Sequence, residues 1–186
     1  RMVRNDRVVW ASCMVSCGDA DGAVTGNTRR YGSSLEKITK VVDARPGEIM
    51  FGLNMIVNKG KTVFVGDTSV HEYPSSEQLA EIAISSARVV RLFGFDPKVA
   101  FVSHSTFGQP LTSRTKHIKN AVDILKEKNV DFKFDGDMQP DVALNDQYKE
   151  LYPFSEIVGN ANILIMPGQH SAAISYKMMR ELGGAK

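Results

Sequence analysis

Lys98-Val99-Ala100-Phe101-Val102-Ser103-His104-Ser105-Thr106-Phe107-Gly108-Gln109 changes character halfway along. Its first half, Val99 to Val102, is an apolar run with no alternation, which predicts a central strand covered on both faces. The second half supplies hydroxyls from Ser103, Ser105 and Thr106, an imidazole from His104, and Gly108, which admits a ligand close to the backbone. Pro110 then breaks any ladder, and a helix pattern opens near Ser113. Buried strand, hydroxyl and glycine loop, then helix N-terminus is how an open α/β sheet holds an anionic group. An ordinary strand-to-helix turn punctuated by Ser and Gly has the same pattern.

The 186 residues suit one large domain, or a smaller one with part of another. An apolar fraction of 42% and a charged fraction of 24% are those of a globular protein. The net charge of +2, with both signs interspersed, leaves no footprint for nucleic acid or an anionic membrane. No apolar run approaches the ~18 residues of a membrane span, and no signal peptide opens the chain. Cys13 and Cys17, one helical turn apart, read as free thiols of a helix's core face, which places the protein in the cytoplasm or another reducing interior. The eight methionines read as core filling. Arg1 in place of an initiator Met, and a last helix running into Gly183-Gly184-Ala185-Lys186, suggest a piece of a longer polypeptide.

Outward from the central strand the chain alternates. Residues 1–17 carry a helical pattern, 20–25 a short strand, and a helix capped by Ser33 or Ser34 turns Leu35, Ile38, Val41 and Val42 inward. Arg45-Pro46-Gly47 is the clearest break, dividing the chain into domains 1–46 and 47–186. Residues 49–57 and 61–66 form a hairpin about Asn58-Lys59-Gly60. A long helix capped by Ser75 or Ser76 buries Leu79, Ile82, Ala83, Ser86, Val89, Val90 and Phe93. Beyond the central strand come a helix through Ile118, Ala121, Val122 and Leu125, a strand 130–134, a helix 140–151 and a buried strand 161–166. A last helix directs Ile174, Met178 and Leu182 inward. The fold class is α/β: a doubly wound, mostly parallel sheet with a small β-hairpin portion.

If the strands are parallel, four loops converge at their carboxyl ends: Asp67-Thr68, Ser103 to Gly108, Asp135 to Gln139, and Gly168 to Ser171. The candidate ligand-binding residues are Asp67, Ser103, Ser105, Thr106, Gly108, Asp135, Gly136, His170, Ser171 and Lys177, with Arg29 and Arg30 as phosphate partners. Ser105 and Thr106 serve either a ligand phosphate or acyl group, or the cap of the following helix. Asp135-Gly136-Asp137 reads as a metal or acid–base loop, or as a turn. No P-loop and no G-x-G-x-x-G is present, and the spacing supports no Ser-His-Asp triad.

Several segments in order resemble the phosphate acetyl/butyryl transferases: residues 18–26, Arg45-Pro46-Gly47, Pro74 with 77–83, 98–108, Asp135-Gly136-Asp137-Met138-Gln139 with Asp141, and 159–167. Arg30-Tyr31, Phe51-Gly52, residues 68–72, Ser105-Thr106-Phe107-Gly108 and 170–174 look more like the C-terminal phosphotransacetylase-like domain of NADP-dependent malic enzymes. Free-standing transferases have S-T-K-G at Ser105 to Gly108, G-N-I at Ala172 to Ile174, and an Arg-Pro pair near Glu36-Lys37. The resemblance implies the phosphotransacetylase fold, shared with isocitrate and isopropylmalate dehydrogenases. It also implies an oligomerising domain (a dimer or higher) that responds to acetyl-CoA or a related acyl-CoA. NADP and a divalent metal would serve a separate catalytic part that oxidatively decarboxylates malate to pyruvate. No catalytic or metal-binding residue is assigned within the chain, because the transferases' Ser-Arg and following Asp lie beyond its last residue. An active acyltransferase and a purely structural assembly domain are the alternatives.

Overall fold

The computed structural model describes residues 2–185. Arg1 and Lys186, on which the reading of a cut piece drew, lie outside that range. The chain divides into two compact units, Arg1–Gly47 and Glu48–Lys186.

The first unit holds α1 (Met2–Asn5), α2 (Arg7–Ser16) and α3 (Tyr31–Ile38). Asp6 interrupts the helical pattern expected over 1–17. Its Oδ1 accepts from the Val8 N–H at 2.9 Å and the Val9 N–H at 3.4 Å, capping α2. Its Oδ2 accepts from Lys37 Nζ at 2.5 Å and Arg29 Nη1 at 2.9 Å, which ties α3 and the loop before it to α2. The Lys37 ammonium holds the Asp6 carboxyl well below the usual carboxylate range, against the opposing effect of burial, with the two backbone donors and Arg29 adding to it.

Three expectations for this unit are corrected. Residues 20–25 form no strand, and Val24 is wholly exposed; an extended segment without a ladder partner leaves its backbone to water. The N-cap of α3 is Arg30, not Ser33 or Ser34, and the helix ends at Ile38, before Val41 and Val42. Cys13 is half-buried and Cys17, the C-cap of α2, is exposed rather than core; both are free thiols.

The second unit is built on a five-stranded sheet of order β1-β2-β5-β3-β4: β1 (Leu53–Asn58), β2 (Lys61–Gly66), β3 (Lys98–Val102), β4 (Lys133–Met138) and β5 (Ile163–Ile165). β1 and β2 are the antiparallel hairpin; β2, β5, β3 and β4 are parallel neighbours. The sheet is thus mixed and mostly parallel, as the alternating pattern predicts. α4 (Ser76–Leu92) and α5 (Ser113–Glu127) cover one face, over Phe64, Val99, Phe101, Ile163 and Ile165. α6 (Pro140–Leu144) and residues 157–161 cover the other with α7 (Gln169–Gly183), over Val65, Ala100, Val102, Leu164 and Met166. The two-residue side-chain period of the strands explains the division. Ser75 caps α4 in a capping box with Gln78, and Thr112 caps α5 in one with Thr115.

Other boundaries move. β4 starts later than 130–134 and contains Asp135 and Gly136, paired with Ala100 and Phe101. The register slips between Phe101 and Val102, leaving Asp137 as the extra residue of a bulge. α6 stops at Leu144 and a short 3-10 turn, Asp146–Tyr148, follows, so 140–151 is not one helix. In α7 Ile174, Met178 and Leu182 face outward, and Ala172, Tyr176 and Met179 pack on the sheet. Met138 and Met166 are core, but Met14, Met55 and Met178 are exposed, so the methionines are not uniformly core filling. Among the described residues no helix is long and apolar enough to cross a membrane.

Candidate functional site

Because β2, β5, β3 and β4 run the same way, Gly66, Ile165, Val102 and Met138 end along one edge. Two buried carboxylates organise the turns there. Asp67, 1% exposed, follows β2. Its Oδ1 accepts from the N–H groups of Gly52 (2.8 Å), Ser69 (2.8 Å) and Val70 (3.1 Å). Its Oδ2 accepts from the His71 N–H at 2.8 Å and lies 2.8 Å from His71 Nδ1. Every lone pair of this carboxylate is occupied, so Asp67 shapes the 67–71 turn. That turn passes its order on: the His71 carbonyl accepts the Gln169 N–H at 3.1 Å, at the start of α7.

Asp137, 2% exposed, does the same at the ends of β3 and β4. It accepts from Ser105 Oγ, and its Oδ1 accepts the Gly108 N–H at 3.1 Å. Ser103 Oγ lies 3.3 Å from Ser105 Oγ, and Thr106 Oγ1 accepts the Gln139 N–H at 3.3 Å. Ser103, Ser105 and Thr106 are all buried, and their hydroxyls hold the loop.

Among the helix starts beyond these turns opens a cleft of about 560 Å³. It is lined by the first turns of three helices. Ser75 and Gln78 come from α4, Ser113, Arg114 and His117 from α5, and Gly168, His170 and Ser171 from α7. Tyr73, Pro74 and Pro167 complete the mouth with Glu72. His117 joins two of these helices: its Nε2 lies 2.8 Å from the Pro74 carbonyl and its Nδ1 3.0 Å from Ser76 Oγ. His170 Nε2 lies 3.0 Å from Glu72 Oε1, and its ring stacks on Tyr73 at 6.3 Å. Gly168 is required by space: a Cβ there would stand 2.4 Å from the Glu72 carbonyl oxygen. α7 starts without a side-chain cap; the His71 carbonyl takes the Gln169 N–H, and the N–H groups of His170 and Ser171, which line the cleft, are left for an anion. The same backbone donation, with the Ser75 hydroxyl, holds the Glu77 carboxyl of α4 below its ordinary range.

The structure brings the four predicted regions to one edge, but not into one pocket. His170 and Ser171 line the cleft. Asp67, Ser103, Ser105 and Thr106 form the buried underpinning of neighbouring turns, and half-buried Gly108 donates its N–H to Asp137. Asp135 and Gly136 lie within β4, and Asp135 flanks a separate hollow with Phe134, Phe154 and Glu156. Lys177 is exposed beside Tyr176, about 12 Å along α7 from its start, and does not line the cleft. In the first unit Arg29 is engaged by Asp6 and Arg30 is exposed. Arg114 and His117 were not among the candidates. The helix start at Ser113 was readable, and an Arg in that first turn was the available signal. Among the described residues no group of three His, Cys, Asp or Glu side chains is placed to hold a metal ion.

The family model described as phosphate acetyl/butaryl transferase matches residues 1–186. The chain is 46% identical to the NADP-dependent malic enzyme of Rhizobium meliloti, covering all of this chain and 24% of that protein. It is 31% identical to the phosphate acetyltransferase of Nitratidesulfovibrio vulgaris, covering all of this chain and 27% of that one. The chain thus spans about a quarter of the length of these relatives. A phosphotransacetylase of Streptococcus pyogenes superposes with a TM-score of 0.88 at 26% identity, over 96% of this chain and 55% of that one. With its mostly parallel sheet and the cleft at its carboxyl edge, the chain is a phosphotransacetylase-like domain and belongs to the phosphate acetyl/butaryl transferase family.

Proposed function

We propose that this domain is the regulatory and assembling part of a cytoplasmic NADP-dependent malic enzyme, and that its cleft takes acetyl-CoA or a related acyl-CoA. The observation that carries the reading is the meeting of three helix starts, one of them uncapped, around Arg114, His117 and Tyr73. Helix N-termini favour anions, and Arg114 adds a planar donor set matched to phosphate oxygens. Tyr73, 77% exposed, offers an aromatic face for an adenine ring. A volume of about 560 Å³ is in the range of small-molecule sites. Malate oxidation, with its NADP and divalent metal, belongs to the catalytic part of such an enzyme. The two parts communicate by linkage: a ligand that binds one arrangement of this domain more tightly shifts the population of the whole molecule.

The test is acetyl-CoA modulation of malate-dependent NADPH formation by the enzyme carrying this chain. Arg114→Glu should leave the rate without effector unchanged and raise the effector concentration needed at least tenfold. An unchanged effector response overturns the reading. The similarity to a phosphate acetyltransferase favours a second reading, acyl transfer from acetyl-CoA to phosphate. Phosphate-dependent release of free thiol from acetyl-CoA would establish it.

A further inference from the structure

His117 stands on α5 one turn after Arg114, and its ring reaches across to the start of α4. Its Nε2 lies 2.8 Å from the Pro74 carbonyl oxygen, which can only accept, so Nε2 carries a proton whatever the charge of the ring. Nδ1 faces a different kind of partner. It lies 3.0 Å from Ser76 Oγ, and that hydroxyl also lies 2.9 Å from the His117 carbonyl oxygen. Ser76 is 7% exposed, so its single proton is committed to one of those two acceptors. With the ring neutral, Ser76 donates to Nδ1, and the His117 carbonyl keeps its place in the α5 ladder. With the ring charged, Nδ1–H donates to Ser76 Oγ, and the hydroxyl turns to the carbonyl. Both states are fully bonded, and they differ by one proton and a hydroxyl rotation.

The charge would appear inside the cleft. His117 lines it with Arg114 of the same helix and with His170 and Ser171 of α7. On α4 the Glu77 carboxylate, held down chiefly by its backbone donor and the Ser75 hydroxyl, also feels the charge of His117. At the mouth Glu72 pairs with His170 at 3.0 Å. With the cleft empty, Arg114 opposes a second positive charge beside it, and Glu77 favours one. A phosphate bound at Arg114 cancels that repulsion and draws a proton onto Nδ1. Imidazoles change charge between about pH 5 and 8, so a modest change of field is enough.

We propose that His117 takes up a proton as the ligand's phosphates enter the cleft, so that the domain binds its effector more tightly as the pH falls. This rests on the acyl-CoA reading given above and adds the pH sense of the regulation. The sign follows from linkage. A group that holds more protons in the complex than in the free protein makes affinity fall as the pH rises, by at most about tenfold per pH unit for one proton. His170 is the rival ring, but its partner Glu72 is a carboxylate outside the α4–α5 bridge, whereas His117 joins the two helix starts directly.

Calorimetric titration of acetyl-CoA into the full protein that carries this chain, at pH 7 in buffers of different ionisation enthalpy, counts the protons exchanged. The dependence of the observed heat on the buffer should give an uptake of roughly 0.3–1 proton per site above that of His117→Gln. The glutamine keeps a donor for the Pro74 carbonyl and cannot titrate, and subtracting it removes any proton exchanged by the ligand's own phosphate monoester. From pH 6.5 to 8 the affinity of the parent should fall about three- to tenfold more than that of the variant. His170→Gln should keep the uptake. Should the His117→Gln protein not fold, His117→Asn, equally unable to titrate, serves in its place. No saturable binding in the parent overturns the acyl-CoA reading and this linkage with it. Binding with equal proton counts in parent and His117 variant overturns the linkage alone. Uptake lost in His170→Gln and kept in the His117 variant assigns the proton to the other ring and also overturns it.

Discussion

Replacing Asp67 by alanine should cost far more than a loop substitution ordinarily does. The carboxylate, 1% exposed, is the shared acceptor for four backbone N–H groups, those of Gly52, Ser69, Val70 and His71, and for the His71 ring. Alanine leaves those donors facing one another in a partly buried turn. A buried donor without a partner costs about 1–3 kcal/mol, and bonds to a charged acceptor lie at the upper end. Some of the donors will turn to water or to each other, so the expected loss is about 3–5 kcal/mol. With a urea slope of about 2 kcal/mol per molar, the unfolding midpoint falls by roughly 2 M. Asn keeps an acceptor on one side and should fall between the two. The effect should also reach the cleft, because the turn that Asp67 holds presents the His71 carbonyl to the first residue of α7. Equilibrium urea unfolding followed by circular dichroism measures it. An Asp67→Ala midpoint within about 0.5 M of the parent would mean that the turn does not depend on this carboxylate, and the reasoning would fail.

Two further perturbations test separate parts of the account. Gly168→Ala places a Cβ 2.4 Å from the Glu72 carbonyl oxygen. The 72–74 segment must move, so stability should drop by about 1–3 kcal/mol and the cleft should change shape, read as a lower melting temperature and weaker acyl-CoA binding. In the first unit, Asp6 has a carboxyl depressed chiefly by its bond to Lys37. A carboxyl lowered on folding contributes stability that is complete above its unfolded value near 3.8 and is lost as the pH falls through its folded value. Hydrogen exchange of the α2 amides should therefore quicken as the pH is lowered from 5 towards 2, after correction for intrinsic rates, and Asp6→Asn should remove that dependence.

Much of the sheet was legible because its strands are buried on both faces. The apolar runs at 62–66, 99–102 and 161–166 admit little but central strands, and all three are there. β4 was misplaced for a reason local sequence does not carry. An Asp-Gly-Asp segment reads as a turn, yet here Gly136 lies against Phe101, where a Cβ would be 2.7 Å from the carbonyl oxygen. Its following Asp137 is buried because Ser105 and the Gly108 N–H satisfy it. α7 shows the opposite limit. It offers two apolar stripes, and periodicity cannot say which of them meets the sheet; Ala172, Tyr176 and Met179 do. The gathering of polar loops at one edge followed from parallel topology alone. Which of their side chains remain free did not follow, because Asp67 and Ser105 are occupied by partners contributed from other parts of the chain.

The central claim is that the cleft between the starts of α4, α5 and α7 binds the phosphates of an acyl-CoA. Isothermal titration of acetyl-CoA into the protein that carries this chain, and into its Arg114→Glu variant, addresses it directly. The account predicts saturable binding, weakened ten- to a hundredfold in the variant, the equivalent of about 1.5–3 kcal/mol for charge-assisted bonds lost at Arg114. Equal affinity in the two proteins, or no binding heat in the parent, would contradict it.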